Sequence, residues 1–357
     1  MTADALGARM RGATLPKYSS LGLLVISWLV MGGLFLIFLL AHMTTAYSLV
    51  GVLFFGTLLW AAAVWTLSFF VEGSRKAKDR LATALVTTAF VIAVLPLVSL
   101  VEVVIANGLA RLDLQFFTYS MRNIVGAGGG AVHAIVGTLE ITLGAAIISV
   151  PVGLLAAVYL VEYGRGSIAR AITFLVDVMT GIPSIVAGLF AFALFSLITG
   201  NAGYRSGFGG SVALSLLMVP IVVRSSEEML KLVPNDLREA AYALGVPRWL
   251  TIVKVVLPTA LAGIVTGIML AVARVIGETA PLLLVSGFTS SMNYDLFNQP
   301  MVTLPVFVYT QWAQPGVDPA PSVERAWTAA LVLILIVLLL NLIARLVARI
   351  FSPKLPS

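Results

Sequence analysis

The sequence predicts an all-α polytopic membrane protein with eight transmembrane helices, a six-helix core preceded by an extra N-terminal helical hairpin. The first observation is composition: 60% of the 357 residues are hydrophobic, only 11% are charged, and the mean hydropathy is +1.04. A soluble core does not need such a balance. The second is a series of apolar runs of about 20 residues, the length that crosses a bilayer. The third is an uneven distribution of lysine and arginine between alternate loops.

The apolar runs place the spans along the chain. They cover residues 20–41, 48–71, 81–105, 132–161, 170–199, 210–231, 257–286 and 326–350. The fourth and fifth exceed about 20 residues, so we expect them to be tilted or kinked. Pro183, Pro220 and Pro281 lie inside three of the spans. Each removes a backbone donor from its helix, which predicts a kink there.

The chain is predicted to contain two parts. Residues 1–75 form an accessory transmembrane hairpin, with no charge inside its spans, next to the charged linker EGSRKAKDR. Residues 76–357 form the working domain, whose loop at 232–258 is predicted to be cytoplasmic. The glycine run at 126–130 predicts a flexible loop. The segment at 287–325 is long for a loop, which favours a function or a re-entrant piece, and its run LPVFVYTQW is expected at the membrane surface.

Basic residues predict the orientation of the chain. Of the 22 lysines and arginines, Arg274 falls within a span, and four fall in segments on the opposite side from the rest: Arg111, Arg122, Arg205 and Arg325. Because cytoplasmic loops carry the excess of basic residues, both termini and the 232–258 loop are expected in the cytoplasm.

Composition and missing motifs exclude several functional classes. The sequence has no cysteine, so it has no disulfide and no thiolate metal site, and its two histidines, His42 and His133, are far apart. It has no G-x-x-x-x-G-K-[ST] phosphate loop and no H-E-x-x-H. The net charge of +6 fits cytoplasmic loops rather than a nucleic-acid partner. We therefore expect a non-enzyme without catalytic residues, metal or cofactor of its own.

A polar stretch, DLREAAYALGVPRWLTIVKVVLP at 236–258, interrupts the apolar sequence. Its pattern predicts a short helix capped by Asp236, with Glu239 three residues on as in a capping box. Gly245 predicts the helix end, since glycine adopts the left-handed conformation that closes a helix. Helical spacing places four side chains on one face: Leu237, Ala240, Ala241 and Leu244. An unpartnered loop helix and a docking helix both fit this pattern.

This loop resembles the EAA loop of permease subunits in ABC importers. The matching positions are Glu239, Ala240, Ala241, Gly245, Leu257 and Pro258, with Val255 where the family has isoleucine. The resemblance implies a six-helix ABC importer permease core and a coupling helix that sits in a groove of an ATP-hydrolysing subunit. ATP and Mg²⁺ would then bind to that partner and not to this chain.

The seventh span carries two charges. Arg274 and Glu278 are four residues apart, so on a continuous helix they share a face and can pair. At about 1.5 Å per residue Arg274 lies about 24 Å beyond Pro258, within the bilayer. A charge there costs at least about 2.5–3.5 kcal/mol, so it should face the bundle interior or a wet cavity. Either the two form a structural ion pair, or Arg274 offers positive charge to an anion, with a hydroxyl from Thr279.

Three longer stretches resemble the PstA-type permease of the phosphate ABC importer. They are ARVIGETAPLLL, GIPSIVAGLF and VPIVVRSSEEMLKLVPNDLREAAYALG, and the resemblance covers residues 81–350. It implies import of inorganic phosphate by alternating access across a bacterial or archaeal cytoplasmic membrane. It also implies a PstC-type second permease, two PstB-type ATPases and an extracytoplasmic PstS-type phosphate-binding protein. The N-terminal hairpin lies outside this resemblance.

Other charges leave further interpretations open. Arg224 ends a span, where it either anchors the helix or contributes to the exit of an anion path. Glu140 and Asp177 could counter Arg274, line the cavity, or belong to a proton-coupled secondary anion carrier, and Glu102 is expected near an outer edge. A permease for another oxyanion, sulfate or molybdate, also fits, because these side chains do not distinguish it from phosphate.

Overall fold

The structure is a computed structural model, and it describes residues 15–16, 19–41, 49–316 and 318–351. The chain termini and His42 lie outside the described residues. The described residues form helices, turns and loops, without a strand. The all-α class is therefore confirmed.

The helices are numbered here in chain order. They are α1 (Ser19–Leu40), α2 (Leu49–Glu72), α3 (Ser74–Gly108), α4 (Leu114–Thr118), α5 (Val132–Val158), α6 (Ser167–Thr180), α7 (Ser184–Thr199), α8 (Gly207–Lys231), α9 (Asn235–Ala243), α10 (Arg248–Thr251), α11 (Leu257–Val275), α12 (Ala280–Val285), α13 (Leu304–Ala313) and α14 (Pro319–Phe351). A 3₁₀ turn at Leu109–Arg111 follows α3, and π-helical turns at Tyr159–Tyr163 and Ile252–Val256 follow α5 and α10.

Within the described residues, seven helices are long and apolar enough to cross a membrane. The pair α6 and α7 adds an eighth if it counts as one span, although the two are bent by 109°. Pro183 explains the break, because proline disfavours helical geometry at the residue before it and removes a donor. The eight predicted spans therefore match the structure with α6 and α7 as one broken span.

The predicted span at 257–286 is also interrupted. α11 ends at Val275 and α12 begins at Ala280. Pro281 lies in the first turn of α12, where its missing N–H costs no intrahelical hydrogen bond. Pro183 and Pro281 thus start helices after breaks, a larger interruption than the predicted kinks, whereas Pro220 lies within the continuous helix α8.

The chain divides into two compact units between Glu102 and Val103, within α3. In the first unit α1 and α2 pack side by side, and the Trp60 indole N–H donates to the Ser20 carbonyl at 2.7 Å. The predicted boundary near residue 75 lies on the N-terminal side of this division. The accessory role of the hairpin stays a prediction.

In the second unit α5 and α8 pack closely through small side chains. An added Cβ at Gly144 would lie 2.5 Å from Ser211 Oγ, and one at Gly153 would lie 2.7 Å from Val222 Cγ1. Ile141 and other fully buried residues of the two helices form the main core. The loops and the broken helices of this unit pack around this helix pair.

α13 is inserted into this core by its N-terminal half. Its first four residues are buried, and the Leu304 N–H donates to Thr138 Oγ1 at 2.7 Å. A side chain at Gly137 would collide with the Val302 carbonyl, so glycine permits this close approach. The segment LPVFVYTQW contacts α5 and α14, and its second half exposes Tyr309 and Trp312. Its expected place at the membrane surface stays a prediction, and the burial of its first half fits the alternative of a re-entrant piece.

The glycine run before α5 is held by a buried cation. Arg325 of α14 is only 3% exposed and donates to the carbonyls of Gly126 at 2.7 Å and Gly128 at 3.1 Å. Its Nε donates to Gln311 Oε1 at 2.9 Å. Gly126, Gly128 and Gly129 have φ of +80°, +92° and +65°, which disfavours a side chain. The glycines therefore provide a fixed shape, contrary to the expected flexible loop.

Candidate functional site

The predicted loop helix is present as α9, but it begins differently from the prediction. It covers Asn235–Ala243, and Pro234 precedes it with no side-chain hydrogen bond at the cap. The predicted cap at Asp236 is therefore wrong, since Pro234, with its fixed φ, is the cap, two residues earlier than predicted, and Asp236 lies in the first turn. There its carboxylate lies near the positive end of the helix dipole. Glu239 is exposed on the helix and does not complete a capping box.

The predicted end of this helix is confirmed at Gly245. Its φ is +74°, its N–H donates to the Tyr242 carbonyl at 2.9 Å, and the Val246 N–H donates to the Ala241 carbonyl at 3.1 Å. This pair of bonds is the Schellman motif, in which a left-handed residue satisfies the last carbonyls of a helix. The turn fixes the angle between α9 and the next segment.

The loop exposes much of its apolar surface. Leu237 is 41% and Leu244 is 83% exposed, and Ala240 and Trp249 are exposed as well. Ala241 is buried and joins the helix to the rest of the domain. Exposed apolar side chains on a loop outside the predicted spans are typical of a protein-binding site.

Replacing Gly245 with valine should uncouple the loop. A β-branched residue is strained at φ +74°, and no atom lies within 4 Å of an added Cβ, so backbone strain is the only direct effect. If the loop couples transport to ATP hydrolysis, as the resemblance implies, ATP-driven uptake should fall about five- to a hundredfold, in line with a strain of about 1–3 kcal/mol. Gly245→Asn is the matched control, because asparagine tolerates this conformation, and it should retain most uptake. Equal uptake by both variants would contradict the role of the turn.

The segment after Gly245 is anchored in the domain. Ile252 and Val256 of the π-helical turn are buried, and Val256 packs in a cluster with Leu230 and Ala260. Leu257 and Pro258 then open α11, with the proline in the first turn. α11 therefore continues directly from the anchored arm of the loop.

α11 carries Arg274 next to its last residue, Val275. Arg274 is exposed, while Glu278 and Thr279 are half-buried in the break before α12. The expected ion pair of Arg274 with Glu278 is not formed, and Arg274 has no acidic partner in the part of the chain that the structure describes. The physical reason is that Pro281 excludes the carbonyl of the residue four positions earlier, so the helix does not continue to Glu278. The guanidinium of Arg274 is therefore open, and its role toward an anion stays a prediction.

The start of α12, which follows the break after α11, packs against α7, which follows the break after α6. An added Cβ at Gly188 of α7 would lie 2.6 Å from Cα of Pro281 and 3.1 Å from its carbonyl oxygen. Pro281 is in the first turn of α12, and Gly188 is one turn into α7. The backbones of α7 and α12 therefore touch near the start of each helix. This contact fixes the segment that contains Glu278 and Thr279.

Arg224 of α8 is held by carboxylates. Its guanidinium pairs with Asp177 of α6, and its Nη1 donates to Glu227 Oε2 at 3.0 Å. Lys231 Nζ pairs with Glu227 Oε1 at 2.6 Å. Asp177 therefore counters Arg224 and not Arg274. Arg224 ties α6 to α8, and its role at an anion exit stays a prediction that requires these pairs to open.

A cleft of about 230 Å³ lies beside the α6–α7 break. Its lining is apolar and comprises Met179, Ile182, Val186, Ala187, Phe190, Leu216 and Leu217. It offers no donor to an anion, and Arg274 does not line it. The cleft is therefore distinct from the predicted substrate path.

Sequence analysis missed one buried ion pair near the loop. Arg238 of α9 pairs with Glu162 of the π-helical turn after α5, at 2.8 Å. The available signal was the position of Glu162, an acid at the predicted cytoplasmic end of a span where basic residues are expected. Such an acid indicates a nearby partner, but sequence does not say which one.

The exposed loop, the broken helices and the number of spans define a polytopic membrane protein with an open surface on one loop. A family model described as "Binding-protein-dependent transport system inner membrane component" matches residues 149–356. The chain belongs to this family, so it is a transport component rather than an enzyme.

Its relatives include proteins named phosphate transport system permease protein PstA. The protein from Mycobacterium leprae (strain TN) is 47% identical over 264 residues, 73% of this chain and 85% of that protein. PstA 1 of Mycobacterium tuberculosis (strain H37Rv) is 48% identical over 264 residues, 73% and 84% of the two chains. PstA of Yersinia pestis is 39% identical over 262 residues, which cover 73% of this chain and 86% of that protein.

Two solved structures share the fold. The inward-facing methionine ABC transporter MetNI matches with a TM-score of 0.51 and 21% identity, over 62% of this chain and 96% of that chain. A bacterial ABC transporter that imports the acidic polysaccharide alginate matches with a TM-score of 0.51 and 13% identity, over 77% and 97%. At these identities the likeness concerns the fold alone.

Proposed function

We propose that this chain is a transmembrane permease subunit of an ATP-driven importer of inorganic phosphate, working by alternating access. The observation that carries the proposal is the open guanidinium of Arg274 at a helix break, in a chain whose relatives are named PstA. A fixed cation in a low-dielectric environment attracts an anion strongly. Thr279 supplies a hydroxyl and Glu278 lies in the same break, where it limits how tightly an anion is held.

The subunit is multi-pass in a bacterial or archaeal cytoplasmic membrane, with both termini and the 232–258 loop in the cytoplasm. The distribution of basic residues supports this orientation. The open apolar side chains of α9 then face the compartment that contains ATP. This orientation lets a cytoplasmic ATPase reach the loop.

The partners are a PstC-type second permease, two PstB-type ATPases and an extracytoplasmic PstS-type phosphate-binding protein. ATP and Mg²⁺ bind to the ATPases and supply the energy, while this chain binds no cofactor. The exposed Leu237, Ala240 and Leu244 support docking of α9 in a groove of an ATPase. Closure of the ATPases moves α9, and the helices around Arg274 re-orient from one side of the membrane to the other.

The test is uptake by the purified complex in proteoliposomes, with phosphate and sulfate in competition. We expect the uptake of labelled phosphate to require ATP and the binding protein. Unlabelled phosphate should inhibit this uptake far more strongly than sulfate does. Uptake of sulfate or molybdate instead would indicate a permease for another oxyanion. Uptake by this chain alone, driven by a proton gradient without ATP, would indicate a secondary anion carrier.

A further inference from the structure

Arg238 is the most connected side chain of the coupling-loop helix α9. Its Nε and Nη2 donate to Glu162 Oε1 at 3.0 and 2.8 Å. Its Nη2 also donates to the Leu230 carbonyl at 3.0 Å, and its Nη1 to the Val233 carbonyl at 2.7 Å and to Asn235 Oδ1 at 3.3 Å. One guanidinium thereby joins α9 to the turn after α5 and to the end of α8.

Glu162 is nearly enclosed at this point. Its side chain is 4% exposed and that of Arg238 is 12% exposed. Removing one partner of a buried pair leaves an uncompensated charge, which is strongly unfavourable. The pair, which we call the Arg238–Glu162 clasp, is therefore a firm connection, unlike an exposed ion pair.

Arg248, which follows Gly245 in the chain, contacts the same π-helical turn after α5. Arg248 Nη2 donates to the Glu162 carbonyl, and its Cζ lies 5.0 Å from the centre of the Tyr163 ring. Both arms of the loop are thus attached to the end of α5. The attachment point, Tyr159–Tyr163, is a π-helical turn, a feature often found at functional sites.

The clasp and the open surface of α9 face different ways. Leu237 and Leu244 are exposed, whereas the Arg238 side chain points into the domain. The open face of α9 is therefore available to a partner while the clasp stays formed. Without the clasp, α9 keeps its packing through Ala241 and against the π-helical turn Ile252–Val256, but loses its only side-chain ion pair within the described residues.

We propose that Arg238 is a positioning residue that transmits displacement of α9 to α5 and α8 through Glu162. Arg248 supports the same connection. This inference rests on the proposed function, because it concerns how ATP hydrolysis in a partner drives transport. It assigns coupling to a buried contact beneath α9, in addition to the exposed face that binds the partner.

The first test compares phosphate transported per ATP hydrolysed in the reconstituted complex. We expect Glu162→Gln to lower this ratio by about tenfold, within the usual range of coupling between sites, while the ATPases still co-purify. Arg238→Lys keeps the charge but cannot reach all the acceptors of the guanidinium, so its ratio should fall less. Glu228→Gln and Arg165→Lys change exposed residues and should leave the ratio unchanged.

The second test needs no transport. The chain has no cysteine, so spin labels can be placed at Ala243→Cys on α9, away from the exposed leucines, and at Leu155→Cys on α5, both exposed positions. In the complex with an intact clasp we expect one narrow distance distribution. In the Glu162→Gln background it should broaden, because α9 moves independently of α5.

The outcomes separate the two proposals. If the wild-type complex takes up no phosphate, the proposed function is contradicted. The distances between the spin labels then show by themselves whether the clasp holds α9 to α5. Wild-type uptake with an unchanged ratio in Glu162→Gln, an equal fall in the control variants, or an unchanged distance distribution would overturn the clasp. If Glu162→Gln and Arg238→Lys both prevent assembly, the pair is a folding element and the inference is also overturned.

Discussion

Replacing Arg274 with glutamine is expected to reduce phosphate uptake to near background while the complex still assembles. Arg274 is exposed at the end of α11 and has no acidic partner within the described part of the chain, so its loss leaves no buried charge behind. The substitution removes the positive charge that we propose attracts the phosphate anion. A hydrogen bond to a charged group contributes about 1.5–3 kcal/mol, which corresponds to about ten- to a hundredfold in uptake.

The measurement is initial uptake of labelled phosphate in proteoliposomes, with co-purification of all subunits as the test of assembly. Arg274→Lys should retain part of the activity, because it keeps the charge but loses the bidentate geometry. Arg170→Gln, which changes an exposed arginine on α6, is the matched control and should transport normally. Normal uptake by Arg274→Gln would contradict the anion role, and failure to assemble would favour a structural one.

Replacing Gly188 with valine should lower both stability and uptake. The added Cβ alone would lie 2.6 Å from Cα of Pro281, and backbone atoms cannot rotate away as a flexible side chain does. Overpacking costs about 1–3 kcal/mol and sometimes more. Because α12 follows directly after the break, its displacement also moves Glu278 and Thr279. We expect a lower melting temperature of the detergent-solubilised complex, and uptake that falls further than stability explains.

Gly33→Val on α1 is the matched control, since no atom lies within 4 Å of an added Cβ there. It should leave melting and uptake nearly unchanged. Gly188→Ala should fall between the control and Gly188→Val, because alanine brings the collision without the additional methyl groups. A melting temperature of Gly188→Val equal to that of wild type would contradict the close contact between α7 and α12.

Features defined by local sequence were predictable. The spans follow from apolar length, and the helix end at Gly245 follows from glycine's access to the left-handed conformation, which the structure confirms. Contacts between distant residues were not predictable. Arg238 and Glu162 are 76 residues apart, and Arg224 and Asp177 are 47 apart. No spacing rule reaches across such distances, because these pairs depend on how the helices pack.

Two errors arose where one local rule competed with another. The capping-box pattern predicted a helix start at Asp236, but Pro234 fixes the backbone before the helix and sets the start there. The pairing of Arg274 with Glu278 assumed an unbroken helix, and Pro281 prevents one. In both cases a proline set the helix limits, and charge spacing was a weaker guide than backbone geometry.

The contact of Arg325 with the glycine run bears on the speed of encounters at the predicted outer face. Fixing the backbone of one residue costs about 1–2 kcal/mol of conformational entropy. The carbonyls of Gly126 and Gly128 are already held by Arg325, so this cost is met during folding. A protein that arrives there meets a surface that is organised in advance. Its association should then be limited by diffusion and orientation, without a slow phase for ordering of the loop.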